Sequence, residues 1–386
     1  MDLPLTSNQI LPQDPDAVLI GRVWLNEAGG PCPVLINDGR VINLISVAPT
    51  VSTLLESALP DRADLSGLPD LGPLDEFLLP EDDERCRGRL LAPCDLQAIK
   101  AAGVTFAASL LERVVEERAG GDPARAESLR AELSSTIASD FAAIKPGSAD
   151  ANALRTRLKA EGLWSQYLEV GFGDYAEIFT KAQPMSAVGC GAEIGILSAS
   201  DWNNPEPEVA LAVTSKGKIV GATLANDVNL RDMEGRSALL LGKAKDNNAS
   251  CAIGPFIRLF NGRFSLTSVA SAHISLEVIG EDGFHLKGAS DMSKISRMPE
   301  DLVSQAIGAH HQYPDGLLLL LGTMFAPVED RRAPGQGFTH EAGDCVRIST
   351  PSLGTLTNWT TSSERAEPWT FGTGALMVNL AKRGVL

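Results

Sequence analysis

The stretch NNPEPEVALAVTSKGKIVGATLANDV, Asn203 to Val228, constrains this chain more than any other. Two glutamates stand one residue apart, each preceded by a proline, and an apolar hairpin pattern follows. Residues i and i+2 do not meet on a helix, and interior prolines break helices. On a strand they point to the same face. Glu206 and Glu208 are therefore expected side by side at the start of a strand. Pro205 and Pro207 cannot donate to a ladder, which predicts an edge strand or a bulged one. Ser215-Lys216-Gly217-Lys218 reads as a turn between two apolar runs, so the segment reads as a β-hairpin. With Lys216-Gly217 as the loop, Asp227 falls opposite Glu206 and diagonal to Glu208. Three carboxylates then converge, about 5–8 Å apart at Cβ.

Converging carboxylates repel one another unless a cation joins them. Oxygen-only donors select hard cations, Mg²⁺, Mn²⁺ or Ca²⁺, and no Cys or His stands nearby to suggest zinc. The competing reading of a Glu-x-Glu pair is a solvated acidic edge, and a one-residue slip would send Asp227 to the other face.

At 386 residues the chain can bury a large core, and it has room for one large domain and a smaller one. A formal net charge of −16 argues against non-specific nucleic-acid binding and anionic membrane surfaces. No signal stretch opens the chain, and the densest apolar run, Leu317 to Leu321, is too short to span a bilayer. It reads as a strand buried on both faces. Six scattered cysteines without a CxxC pattern suit reduced thiols, hence the cytoplasm.

The first part reads as β-rich, with PVLINDGRVINLI a hairpin turning at Asp38-Gly39. Ala58 to Arg85 reads as a linker or irregular arm. Helical spacing follows: Leu110, Leu111, Val114 and Val115; then a start at Asp122-Pro123 with Leu129, Leu133 and Ile137; then Ala151 to Leu163. Arg231 to Leu241 also looks helical, with Arg231 and Asp232 at its start. It leads to Lys243 and Lys245. A lysine beside a cation and a carbonyl could act as a general base, although most lysines are solvated surface groups.

PEPEVALAVTSKGKIVGATLANDVNLRD followed by KDNNASCAIGPFI resembles the metal-binding and lysine motifs of the fumarylacetoacetate hydrolase superfamily. LLGTMFAPV, PGQGFTHEAGDCVRIST and LGTL are similar to that family's closing strands. The resemblance implies an α+β, β-rich fold: a fumarylacetoacetate-hydrolase-like β-roll catalytic domain over 89–386, with a helical insert about 109–168. A small β-rich N-terminal domain and linker would occupy 1–88. It also implies Mg²⁺ on Glu206, Glu208 and Asp227, Lys245 beside the substrate, Thr323 at the substrate's carboxylate, and a homodimer or homotetramer.

One departure matters. Where the family's carbon–carbon hydrolases carry a His–Glu pair on a lid, this chain reads GVTFAASLLE, with Ser109 in the histidine position and Glu112 retained. A lone serine is a poor activator of water. GVTF, EIFTKA and WNNPEPE resemble instead the superfamily's 2-keto-3-deoxy-pentonate dehydratases. That likeness implies a small 2-keto-3-deoxy sugar acid as partner and 2,5-dioxopentanoate as product. A diketo acid hydrolase is the rival reading, and a non-catalytic metal- or sugar-acid-binding protein is a third.

In the dehydratase reading Lys245 removes the C3 proton. Glu177 or Glu112 supplies the proton for the leaving hydroxyl, and Ser109 lines the substrate site. Lys181 is counted with Thr323 and Ser109 among the substrate-binding residues, behind the metal, with core-edge packing as the alternative. Asn226 and Asn229 could orient Asp227, and His340 is read as a loop residue.

Overall fold

A computed structural model of the chain describes residues 5–57, 67–130, 144–160 and 164–386. Leu133, Ile137, the end of the helical stretch expected to reach Leu163, and part of the expected arm from Ala58 lie outside them.

The expected hairpins form because their turns carry the residues that the geometry demands. β1 (Leu19–Leu25), β2 (Gly30–Asn37) and β3 (Arg40–Asn43) make an antiparallel meander. Asp38 and Gly39, between β2 and β3, both have positive φ, at 49° and 70°, as a two-residue primed turn requires. β4 (Asp70–Pro73) extends this edge, and β5 (Gly88–Leu91) pairs with β1. The 1–88 region does not form a separate sheet. Leu19 and Ile20 of β1 pair with Arg258 and Ile257 of β13 (Cys251–Leu259). An eleven-stranded sheet then runs β4-β3-β2-β1-β13-β11-β10-β16-β6-β7, with β5 beside β1. Here β6 is Ala98–Gly103, β7 is Glu177–Ala182, β10 is Pro207–Val213, β11 is Ile219–Asp227 and β16 is Leu317–Leu320.

The Glu-x-Glu strand is internal, not an edge: β10 lies between β11 and β16. Its prolines are tolerated because Pro207 is the first residue of the strand and pairing with β16 begins only at Ala210. The turn also differs from expectation. Thr214 N donates to Lys218 O, and Gly217, at φ 75°, closes a three-residue loop. A bulge between Ala212 and Val213 then restores the register, so Pro207 faces Asn226 and Glu208 faces Ala225 as a two-residue loop would have placed them.

A second sheet, β15-β14-β17-β18-β8, packs against the first. It comprises β8 (Glu193–Ile196), β14 (His273–Ile279), β15 (His285–Asp291), β17 (Cys345–Thr350) and β18 (Gly354–Ser362). Between the sheets lie Val209, Leu211, Leu224 and Phe256 against Leu276, Val346, Ile348 and Leu356. Strand alternation sends Ala210, Ala212 and Ala225 to the other face, into a cluster with Leu54, Leu318 and Leu320. Leu317 to Leu320 are fully buried in β16, between β10 and the parallel β6.

The helical segment contains Ala107–Ala119, a helix at 123–130 started by Asp122, Ala149–Ala160 and Gln166–Phe172. Leu110, Val114, Leu154, Leu158 and Phe172 form its own core with Trp202. The helix expected from Arg231 to Leu241 is broken. It runs Arg231–Glu234, a 3-10 turn Ala238–Leu240, and a second short helix Leu241–Lys245. No helix among the described residues is long and apolar enough to cross a membrane, and none of the six cysteines is in a disulfide.

Leu319→Ala, in the middle of the doubly covered strand, is expected to lower unfolding free energy by about 2–5 kcal/mol. Leu239→Ala, at a residue 95% exposed, is expected to change it by less than about 0.5 kcal/mol. Denaturant melts of the two variants check this contrast.

Candidate active site

The metal candidates follow from the hairpin. Alternation places Glu206, Glu208 and Asp227 on the face of Ala210 and Ala225, and Asp227 N donates to Glu206 O at 3.1 Å. One oxygen from each carboxylate lies within 4.8 Å of the others, and all three residues are buried. Asn226 Oδ1 accepts from the backbone N of Glu206 at 3.1 Å, so this flanking amide braces the Glu206 backbone and not the Asp227 carboxylate it was expected to orient. Asn229 is fully buried, and its amide makes no hydrogen bond to any of the three carboxylates.

The surrounding charges are arranged unevenly. Lys245 Nζ lies 2.6 Å from Glu206 Oε2 and 3.3 Å from Asp227 Oδ2. Lys181 Nζ is 2.9 Å from Asp227 Oδ1, and Arg113 NH2 is 2.6 Å from Glu206 Oε1. Glu208 has no side-chain cation within ion-pair reach among the described residues; its Oε2 accepts Gly322 N–H at 2.6 Å. Burial, with the charges of Asp227 and Glu206, pushes the Glu208 carboxyl well above the usual carboxylate range. Asp227 is lower than usual: burial opposes its charge, but Lys181 and Lys245 outweigh burial. Three buried carboxylate donors, one without a cation, fit a hard divalent ion.

Backbone geometry brings the opposite wall close. Gly322 sits at φ 85°, and a Cβ there would lie 2.1 Å from Thr105 Oγ1, so only glycine can carry the chain past Thr105 to Glu208. Thr105 Oγ1 donates to Leu321 O at 2.6 Å, and Val104 beside it holds φ 56°. A left-handed β-branched residue is a strained conformation.

The pocket wall includes Ser109, Arg113, Glu177, Phe179, Lys245 and Thr323 together with the three carboxylates. Ser109 Oγ donates to Phe106 O, and Thr323 Oγ1 accepts from Phe325 N. Burial raises Glu177, with Arg113 and Lys245 opposing. Two expected residues are not in this wall. Glu112 is held by Arg130, at 2.7 and 2.9 Å, and by Arg231 at 3.1 Å. Lys181 is fully buried behind Asp227, where it also donates to Val228 O and Lys245 O. It thus anchors the backbone of Lys245 and takes no place at a substrate surface. Arg231 is no simple helix-start residue: it bridges Glu116 and Glu112 under Trp202. His340, buried beside Asp344, donates its backbone N–H to Asn203 Oδ1 just upstream of the cluster.

Sequence reading missed Arg113 and Glu234. Arg113 NH1 pairs with Glu116 at 2.6 Å and with Glu234 at 2.9 Å. Burial lifts Glu234 to about 7, with Arg113 opposing. The one available signal is the spacing Ser109–Arg113–Glu116, which puts three polar groups on one face of an otherwise amphipathic helix.

Residues 164–360 match the model of the fumarylacetoacetate (FAA) hydrolase C-terminal family, just over half of the chain. The chain belongs to the fumarylacetoacetate hydrolase family. Among curated relatives, 2-dehydro-3-deoxy-D-arabinonate dehydratase of Saccharolobus solfataricus is 34% identical over 180 residues, 47% of this chain and 57% of that one. A probable 2-keto-3-deoxyxylonate dehydratase of Haloferax volcanii is 31% identical over 211 residues, 54% of this chain and 68% of that one. The match thus spans little more than half of the first relative's length. A solved 2-keto-3-deoxy-D-arabinonate dehydratase, complexed with magnesium and 2,5-dioxopentanoate, shares the fold. Its TM-score is 0.58 at 22% identity, over 89% of this chain and 99% of that one.

A Glu208 that ligates a cation must be ionised, and burial beside Asp227 and Glu206 sets a proton in competition with the cation there. Affinity for a divalent cation is therefore expected to rise by about tenfold per pH unit while that proton is displaced. Calorimetry in buffers of different ionisation enthalpy reads both the slope and the released proton; an affinity indifferent to pH would contradict this.

Proposed function

We propose that the chain is a Mg²⁺-dependent dehydratase that converts a 2-keto-3-deoxy-pentonate to 2,5-dioxopentanoate. The observation that carries this reading is the pocket wall itself. It joins a three-carboxylate cation site, a lysine and a half-buried glutamate, and among the described residues it contains no histidine. A water-activating base of the hydrolase kind therefore has no side chain to serve it there. The names of the two dehydratase relatives support the same chemistry.

Mg²⁺ on Glu206, Glu208 and Asp227 would supply Lewis-acid stabilisation of charge on the keto oxygen. Thr323 offers a hydroxyl to the substrate's carboxylate. Lys245, expected from sequence to be a neutral base, suits another role. Burial alone would lower its pKa, but Asp227, Glu206 and Glu234 raise it above the usual value. It serves as a fixed cation that stabilises the developing enolate. Glu177, raised by burial and set in the same wall, takes the C3 proton. Glu177 then hands that proton to the C4 hydroxyl, which leaves as water and gives a C3–C4 double bond. Moving a proton from C5 to C3 then yields the C4–C5 enol, and protonation at C4 gives the aldehyde. Glu112, fastened by Arg130 and Arg231, shapes the helix and transfers no proton. A homo-oligomer in a reducing cytoplasm, which cysteines outside any disulfide suit, completes the reading.

Product analysis by NMR separates dehydration from cleavage: the semialdehyde without pyruvate is expected, and pyruvate with glycolate would refute the proposal. Chelation should abolish turnover. Glu206→Gln should reduce it by more than the roughly 10–100-fold that outer-shell partners command. Glu177→Gln should stop C3 hydrogen–deuterium exchange of 2-oxobutyrate, while Lys245→Met slows it. The reverse order would return the base role to Lys245.

A further inference from the structure

Arg113 and Lys245 are the two cations in the pocket wall among the described residues, and the first is unassigned by the chemistry above. Its side chain is 13% exposed and crosses between two elements. NH1 is fastened to Glu116 on its own helix and to Glu234, while NH2 lies against Glu206 Oε1. The pocket leaves only about 20 Å³ of interior space, room for about one water and far too little for a five-carbon acid. Substrate can enter only if wall side chains move, and Arg113 is tied to an atom that a divalent ion would compete for.

The wall also has two distinct ends. Gly322 donates to Glu208, which puts the adjacent Thr323 at the Glu208 end. Arg113, Ser109 and Glu234 belong to the Glu206 end: Arg113 pairs with Glu206 and Glu234, and Ser109 lies one helical turn before it. A keto acid with its carboxylate at Thr323 would extend its hydroxylated tail toward Arg113.

We propose that Arg113 is the specificity-determining residue for that tail, a stand-in cation on Glu206 that is released into the pocket when a divalent ion takes the carboxylate. NH1 keeps its anchors on Glu116 and Glu234, so NH2 swings a short way and donates to a tail hydroxyl, with Glu234 beside it as acceptor. The planar guanidinium suits this division because its two ends can hold separate partners. The inference rests on the keto acid reading of the site and adds which part of the substrate is recognised, and by what.

The test uses binding alone, so it is independent of turnover. Mn²⁺ affinity of the metal-free protein is measured by electron paramagnetic resonance for the wild type, Arg113→Met and Arg113→Lys. Melting curves show which variants fold. Mn²⁺-loaded protein is then titrated with 2-oxopentanoate and 5-hydroxy-2-oxopentanoate, neither of which carries a C4 hydroxyl to eliminate. Wild type is expected to prefer the hydroxylated acid by about tenfold or more, the range of a hydrogen bond to a charged donor. Arg113→Met should bind Mn²⁺ about tenfold more tightly, having lost the competing cation, and should show no preference between the two acids at unchanged 2-oxopentanoate affinity. Arg113→Lys, which keeps a charge without the fork, should also lose the preference, and carries the test if the methionine variant does not fold. A preserved preference in a folded variant, or Mn²⁺ affinity in Arg113→Met no tighter than wild type, would overturn the proposal. Absence of the semialdehyde from pentonate assays with the acid preference intact would refute the dehydratase reading and leave this one standing.

Discussion

Burying three carboxylates within 4.8 Å of one another is the constraint from which the rest of this site follows. Uncompensated, such a cluster could not remain ionised in a folded interior. The chain answers with three cations drawn from distant parts of the sequence: Arg113, Lys181 and Lys245. Each comes on a different element, a helix, strand β7 and a short helix before β13. The cluster therefore ties together segments that backbone pairing alone does not join. Glu208 is left with a backbone donor only. Its high proton affinity marks where the compensation is incomplete and where a further positive charge is worth most.

The ion pairs extend well past the metal candidates. Arg113 links Glu206 to Glu116 and Glu234; Arg231 links Glu116 to Glu112; Arg130 closes the far end on Glu112. Signs alternate along the whole chain, so each buried charge faces an opposite one. Buried pairs of this sort cost much of their Coulombic gain in desolvation. What they give is geometry, because removing any member strands its neighbour. The helix Ala107–Ala119 is held over the pocket by this alternation as well as by Leu110 and Val114 in their apolar cluster.

Much of this could be read from local pattern. The Glu-x-Glu strand, the cross-strand aspartate, the Asp-Gly turn and the leucine strand each rest on the period-two alternation or on a turn residue, which are properties of a few adjacent positions. Even the hairpin register agrees with the two-residue turn expected from sequence, because the three-residue loop and the bulge at Val213 cancel. Long-range assignments did worse. Arg113 and Glu206 are 93 positions apart, and no periodicity connects them. The prolines suggested an edge strand because a sequence shows that a donor is missing and does not show where the neighbouring strand begins to pair.

Glu112 shows where the limit lies. By position it is the acid that a lid histidine would need, and sequence alone makes it as credible a proton donor as Glu177. Both are carboxylates near the same helix and strand ends. Their surroundings separate them. Two guanidiniums grip Glu112 through both of its oxygens, and it stands outside the pocket wall. Glu177 lies in the wall, half-buried, with no ion-pair partner within reach among the described residues, and desolvation raises its pKa. Ser109 in place of a histidine removes any base that Glu112 could assist, so an acid at this position is free to become part of the helix's anchoring. Two carboxylates that the sequence leaves equal are thus set apart by two arginines that arrive from elsewhere in the chain.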